Sequence, residues 1–100
     1  MRLTYTTEAR LELAEATSYY KSCHKELGRE CFQRIQSAEE DIIHYPEAWR
    51  SLGAPYRRKL LQKFPYGLVY HQPESDWVEV VAVMHLHREP DYWHQRTTGK

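Results

Sequence analysis

The sequence predicts an α+β protein of order β-α-α-β-β-β, with a helical hairpin packed on one face of a small antiparallel sheet. Three observations carry that prediction. Two consecutive stretches set apolar residues at helical spacing on either side of a glycine. Three later stretches are rich in β-branched and aromatic residues, and a short alternating segment precedes the first helix.

Arg2–Tyr5 puts Leu3 and Tyr5 on one face and predicts the first strand. Thr6 or Thr7 can cap a helix whose first turn holds Glu8, a good place for a carboxylate in the helix dipole. Ala9, Leu13, Ala16, Tyr20, Cys23 and Leu27 then recur at three- and four-residue intervals, a narrow apolar stripe. Gly28 is expected to end this helix, because glycine adopts φ > 0 without penalty. A second helix is predicted from about Arg29 to His44, with Cys31, Ile35, Ala38 and Ile42 on one face and Phe32 beside them. Tyr45-Pro46 stops it, since proline cannot continue a helix and restricts the residue before it. Two helices joined so tightly form an αα-hairpin. Residues 47–55, with Gly53 and Pro55, read as a loop.

Three strands follow. Residues 56–61 form a basic strand, and residues 64–72 an aromatic and β-branched one with Pro65 near its start. Residues 77–86 are the most apolar, with Val78, Val80, Ala82 and Met84 on one face and Trp77, Val81 and Val83 on the other. Apolar residues on both faces call for a central strand. Pro73-Glu74-Ser75-Asp76 is a turn by composition. Counting directions through a three-strand meander makes the first strand antiparallel to the last, beside which it can pair. The uncovered face of such a sheet would then carry Arg57, Arg58 and Lys59 next to the histidines that end the last strand.

One hundred residues suit a single domain across residues 1–100. No apolar run approaches the ~18 residues that span a bilayer, and residues 1–10 lack the apolar region of a secretory signal. A cytoplasmic protein with no membrane partner is expected, with Cys23 and Cys31 as reduced thiols on separate helices. The net charge of zero hides an asymmetry. Residues 1–49 carry nine acidic and six basic residues, and residues 50–100 carry five acidic and eight basic. Residues 48–73 contain no acid but hold Arg50, Arg57, Arg58, Lys59 and Lys63. Such a run is a solvated strand face or a surface for a polyanion or an acidic protein.

Several motifs, in order along the chain, resemble those of the RelE/ParE superfamily of toxins from type II toxin–antitoxin systems, in particular its ParE-like, plasmid-stabilisation members. They are Glu8-Ala9-x-x-x-Glu12-Leu13, Tyr19-Tyr20, Leu27-Gly28 with Phe32, and Pro46. Arg58 and Leu60-Leu61 then lead into Phe64-Pro65-Tyr66-Gly67-Leu68-Val69-Tyr70, followed by His85-x-x-Arg88-x-Pro90-x-x-Trp93-x-x-Arg96. The last two segments are the most specific, and the resemblance spans about residues 5–96. It implies the β-α-α-β-β-β fold read above and a growth-inhibiting bacterial toxin. It also implies a cognate antitoxin held in a hetero-oligomeric complex, and a target that is DNA gyrase for ParE-like members or ribosome-bound mRNA for RelE-like ones. A degenerate toxin that only binds its antitoxin is the remaining alternative.

Metal-free RNA cleavage needs a base for the 2′-hydroxyl, a proton for the leaving oxygen and cations around the phosphorane. The candidates are Arg58, His85, Arg88 and Tyr92, with His87 beside them. The resemblance places Arg58 where members carry a basic strand residue, His85 at a strand-end histidine and Arg88 near a post-strand arginine. It also exposes a departure: Gly67 follows Tyr66 where nuclease members carry a catalytic arginine. Residues expected to contact a target or antitoxin are Arg57, Arg58, Lys59, Lys63, Arg88, Trp93 and Arg96. Tyr92 and Trp93 read first as hydrophobic cover that anchors the C-terminal tail, and Tyr66 and Tyr70 as sheet packing. His85-x-His87 lacks a third ligand in register, so no metal or other cofactor is expected.

Overall fold

The computed structural model describes residues 1–89, 92–94 and 96, so Pro90 of the C-terminal motif lies outside the described residues. In chain order the elements are β1 (Arg2–Tyr5), α1 (Thr7–Cys23), α2 (Lys25–His44), β2 (Arg50–Ser51), β3 (Arg57–Leu60), β4 (Tyr66–Glu74) and β5 (Trp77–His85). The α+β class and the helical hairpin over one sheet face are as the sequence predicts. Four details differ, and each has a physical cause.

The first is the helix junction. Thr6 caps α1 as expected, its Oγ1 accepting from the N–H of Ala9 at 3.2 Å. The break, however, lies at His24, four residues before Gly28. His24 is extended, its Nδ1 accepts from the N–H of Glu26 at 3.1 Å, and its own N–H donates to Tyr20 O at 3.0 Å. One extended residue satisfied on both sides turns the chain without positive φ. Gly28 sits in the first turns of α2, where an added Cβ would stand 2.8 Å from Cα and Cβ of Lys21. What reads as a stop signal is the point of closest helix–helix approach. Leu27 therefore belongs to α2, while Cys23 ends α1 exposed and Cys31 is buried, both as free thiols.

The second is strand direction. The sheet order is β1-β5-β4-β3-β2, and β5 is interior as its composition requires. β3, β4 and β5 form the expected antiparallel meander, but β1 runs parallel to β5, pairing Arg2 with Trp77 through Tyr5 with Val80. The reversal comes from β2, inside the segment read as a loop. Gly53 at φ 97° closes a tight turn, with the N–H of Leu52 donating to Tyr56 O and that of Tyr56 to Gly53 O. The β2–β3 hairpin adds one change of direction, which converts the antiparallel expectation into a parallel pair and the sheet into a mixed one.

The third is a β-bulge. Val69 pairs with Ala82 but Tyr70 with Val80, so Val81 is extra on β5. Alternation slips by one residue there. Val78, Val80 and Val83 pack toward the helices, while Val81, Ala82 and Met84 pack on the opposite face. The expected grouping of Ala82 and Met84 with Val78 is thereby overturned. The fourth is the turn after β4, which shrinks to Ser75-Asp76 because Pro73 and Glu74 still belong to the strand.

The main core lies between hairpin and sheet and includes Ile35, Ile42, Leu68, Tyr70, Val78 and Val80. Burying each of the aliphatic side chains contributes about 2 kcal/mol. Tyr66 joins this side, and Tyr70 OH donates to Pro46 O at 2.6 Å. A smaller cluster on the other face is closed by Trp93, 1% exposed, lying over Val69, Val81, Ala82 and Met84. Trp93 is the hydrophobic cover the sequence suggested.

Candidate functional site

The basic strand does not present one surface. Register alternates along β3, so Arg57 opposite Tyr70 and Lys59 opposite Leu68 face the helices, whereas Arg58 opposite Val69 faces away. Both helix-side cations are engaged internally. Arg57 donates from its guanidinium to Trp49 O at 2.9 Å. Lys59 stacks its ammonium 3.7 Å from the Trp49 ring centroid and lies 3.5 Å from the Asp41 carboxylate. Lys63, beyond the strand, pairs with Glu30 of α2 at 2.7 Å.

Arg58 is differently placed. Directly opposite it on β2 is Arg50, so two like charges share a cross-strand position, an arrangement that typically destabilises by roughly 0.2–1 kcal/mol. Among the described residues no ion pair or hydrogen bond engages either guanidinium, and the Nε of Arg58 is buried without an acceptor. An orphaned buried donor of this kind costs about 1–3 kcal/mol. The arginine stem lies against Gly67. A Cβ there would stand 2.9 Å from Cγ and 3.0 Å from Cδ of Arg58. The glycine that departs from the nuclease pattern is thus the residue that makes room for Arg58.

His85 and Arg88 are elsewhere. His85 pairs with Tyr66 and packs edge-on against its ring at 5.0 Å, on the helix side, where Glu12, Glu15, Tyr19 and Arg88 complete a small cleft. The expected convergence of Arg58 with His85 does not occur, because they leave the sheet from opposite faces. His85 Nδ1 instead accepts from the N–H of His87 at 3.1 Å. Among the described residues no group of three potential ligands could hold a metal.

Arg88, Tyr92 and Arg96 gather on Glu12 of α1, a residue the sequence offered only as part of the helix-entry motif. Arg96 makes a two-pronged contact, Nη1 to Oε1 and Nη2 to Oε2, both at 2.9 Å. Tyr92 OH donates to Oε2 at 2.9 Å, and Arg88 reaches it at 3.5 Å. The same cluster covers the part of β5 that β1 leaves unpaired. Val83 N–H donates to Glu12 Oε1 at 3.0 Å, and Arg96 Nη1 donates to Val81 O at 3.1 Å. Burial raises the Glu12 carboxyl, but Arg96, the Val83 amide and Tyr92 together hold it below the usual range. Burial and the hydrogen bond to Glu12 push the Tyr92 hydroxyl up, and the Glu12 contact raises Arg96. A phenol held protonated against a carboxylate, with two guanidiniums on that carboxylate, ties the tail down and is poorly disposed to accept a proton from a substrate.

The outer side of the hairpin leaves Leu11, Tyr19 and Phe32 exposed. A groove beside Ala14, Gly28 and Phe32 is bordered by Lys21, Lys25 and Arg29. This combination suits an amphipathic segment with apolar anchors and acidic flanks.

No family model matches the sequence, and no curated protein matches it. The fold does match a solved one. A chain from the structure described as "Chromosomal ParDE TA system from P. aeruginosa" superposes with a TM-score of 0.61 at 14% identity. The match covers 87% of this chain and 97% of that one. At that identity the likeness is one of fold.

Proposed function

We propose that this chain is the toxin of a type II toxin–antitoxin pair. In this reading a cognate antitoxin neutralises it in a hetero-oligomeric cytoplasmic complex, and it inhibits growth by binding and corrupting a macromolecular target, DNA gyrase being the precedent. The observation that carries the reading is the likeness of fold to a ParDE chain, which extends over nearly the full length of both chains. Among the described residues no helix is long and apolar enough to cross a membrane. The apolar groove with its basic border supplies a surface for the neutralising partner.

The geometry favours target binding over mRNA cleavage. Arg58 and His85 occupy opposite faces, Arg88 and Tyr92 are drawn to Glu12, and Gly67 supplies no charge. Losing one preorganised transition-state cation costs ~3 kcal/mol, about 10²-fold in rate, and here the base and the cation are separated as well.

Expression of the chain alone is expected to arrest bacterial growth, with rescue by co-expression of an antitoxin encoded beside it. Normal growth with soluble, folded chain sinks an active toxin and leaves the degenerate, antitoxin-binding form. Purified chain added to gyrase supercoiling reactions and to ribosomes programmed with a defined mRNA separates the targets. Cleavage in the ribosomal A site that is lost on Arg58→Ala, with gyrase unaffected, overturns the preference for target binding.

A further inference from the structure

We infer that Arg50 and Arg58 form a receiver for a single carboxylate of a protein partner on the face of the sheet away from the helices. It deepens the toxin reading, resting on it only for which protein supplies the carboxylate.

Three independent features point to it. The register of β2 with β3 sets Arg50 and Arg58 directly opposite each other, and among the described residues neither has a counter-charge. Their neighbours in sequence are already committed: Arg57 to Trp49, Lys59 to Asp41 and Lys63 to Glu30. Finally, the fold makes a notch for Arg58 by placing Gly67 beneath its stem, although the Nε so buried has no acceptor among the described residues. A like-charged pair at facing positions is matched by an anion that accepts from both, as a carboxylate does through its two oxygens.

The surroundings favour a protein carboxylate over nucleic acid. Leu60, exposed at 43%, borders the notch, its Cδ2 3.4 Å from where a Cβ on Gly67 would lie. Leu52 and Tyr56, partly buried beside the Trp93 cluster, lie on the same face. A nucleic-acid strand needs a row of free cations along its backbone and exposed rings for its bases. Here two guanidiniums beside an aliphatic side chain fit one acidic residue with an apolar neighbour.

The test needs no antitoxin and no target, so its failure and that of the toxin reading are separate results. The full chain, labelled with ¹⁵N, is titrated with the capped peptide acetyl-Leu-Glu-Leu-amide while the arginine Nε–H resonances are followed. The Arg50 and Arg58 signals should move together and saturate. Removing one of two charge-assisted bonds should weaken binding about tenfold in Arg50→Gln. Gly67→Ala, which displaces the Arg58 stem without removing charge, should weaken it similarly, and Arg10→Gln should leave it unchanged. Shifts that do not saturate, that spread evenly over the surface arginines, or that saturate at an unchanged peptide concentration in Arg50→Gln overturn the receiver. So does a response to hexauridylate, at matched ionic strength, that saturates at lower concentration than the peptide, which would mark a nucleic-acid surface.

Discussion

Glu12 holds together parts of the chain more than seventy residues apart, through Val83 at a separation of 71 and Arg96 at 84. With side chains only 12% and 17% exposed, the Glu12–Arg96 pair is partly withdrawn from water, where breaking one partner costs more than at the surface. Glu12→Gln keeps the shape but removes the charge, and urea unfolding at pH 7 should show a loss of roughly 2–3 kcal/mol. The pH dependence has a definite sign. The folded carboxyl lies below its ordinary 4.5, so its stabilisation is present above that value and is lost as the pH falls through the lower folded value. Wild-type stability should therefore decline more steeply than that of Glu12→Gln below pH 4.5, and parallel acid limbs would count against this assignment. None of it was visible in the sequence, where Glu12 stands within the polar face of a helix and its partners lie in the last strand and beyond it. Trp93 was legible as cover because a large aromatic ring near the end of the chain needs apolar surface, which β5 supplies.

Gly28 has the backbone of an ordinary helical residue and the surroundings of a contact point. Alanine there would gain about 1 kcal/mol of helix propensity. Its Cβ would also meet the backbone of Lys21 at 2.8 Å, and overpacking that the backbone must relieve costs roughly 1–3 kcal/mol. Gly28→Ala should thus be net destabilising in thermal unfolding, whereas alanine at a helix-terminating glycine with positive φ would be destabilising through strain at that residue alone. A crystal structure of the variant separates the two, since the contact account requires α1 and α2 to move apart. Elements were legible where one signal decided them, such as Tyr45-Pro46 ending α2 or the doubly apolar residues of an interior strand. They were not legible where a signal serves two ends. A glycine between helical stripes marks a stop or a close approach, and two residues of β2 are too few to show a period. The bulge at Val81 shifts the faces of β5 without any change in composition.

Across the whole molecule, the charge asymmetry of the sequence turns out to be a complementarity between the helices and the chain from β3 onward. The acid-rich first half supplies Asp41, Glu30 and Glu12, which meet Lys59, Lys63 and the pair Arg88 and Arg96 from the second. The basic run thus does not form one surface, and its members should respond differently to charge reversal. Lys59 is 17% exposed at its side chain, lies on Trp49 and faces Asp41. Lys59→Glu replaces attraction with repulsion there and loses a cation–π contact worth up to about 2 kcal/mol, so the midpoint of urea unfolding should fall. Arg58→Glu removes one member of a like-charged pair and an orphaned donor while placing a carboxylate opposite Arg50, so stability should hold or rise. Association shows the opposite ranking. A cation free to meet an acidic partner contributes to encounter, and its reversal slows binding most at low salt. Stopped-flow mixing with the cognate antitoxin at low salt should show Arg58→Glu slower than Lys59→Glu, with the difference shrinking as salt is added. Should Lys59→Glu prove the slower at unchanged stability, the run acts as a single basic surface, and the division of β3 between the two faces of the sheet does not govern how the partner approaches.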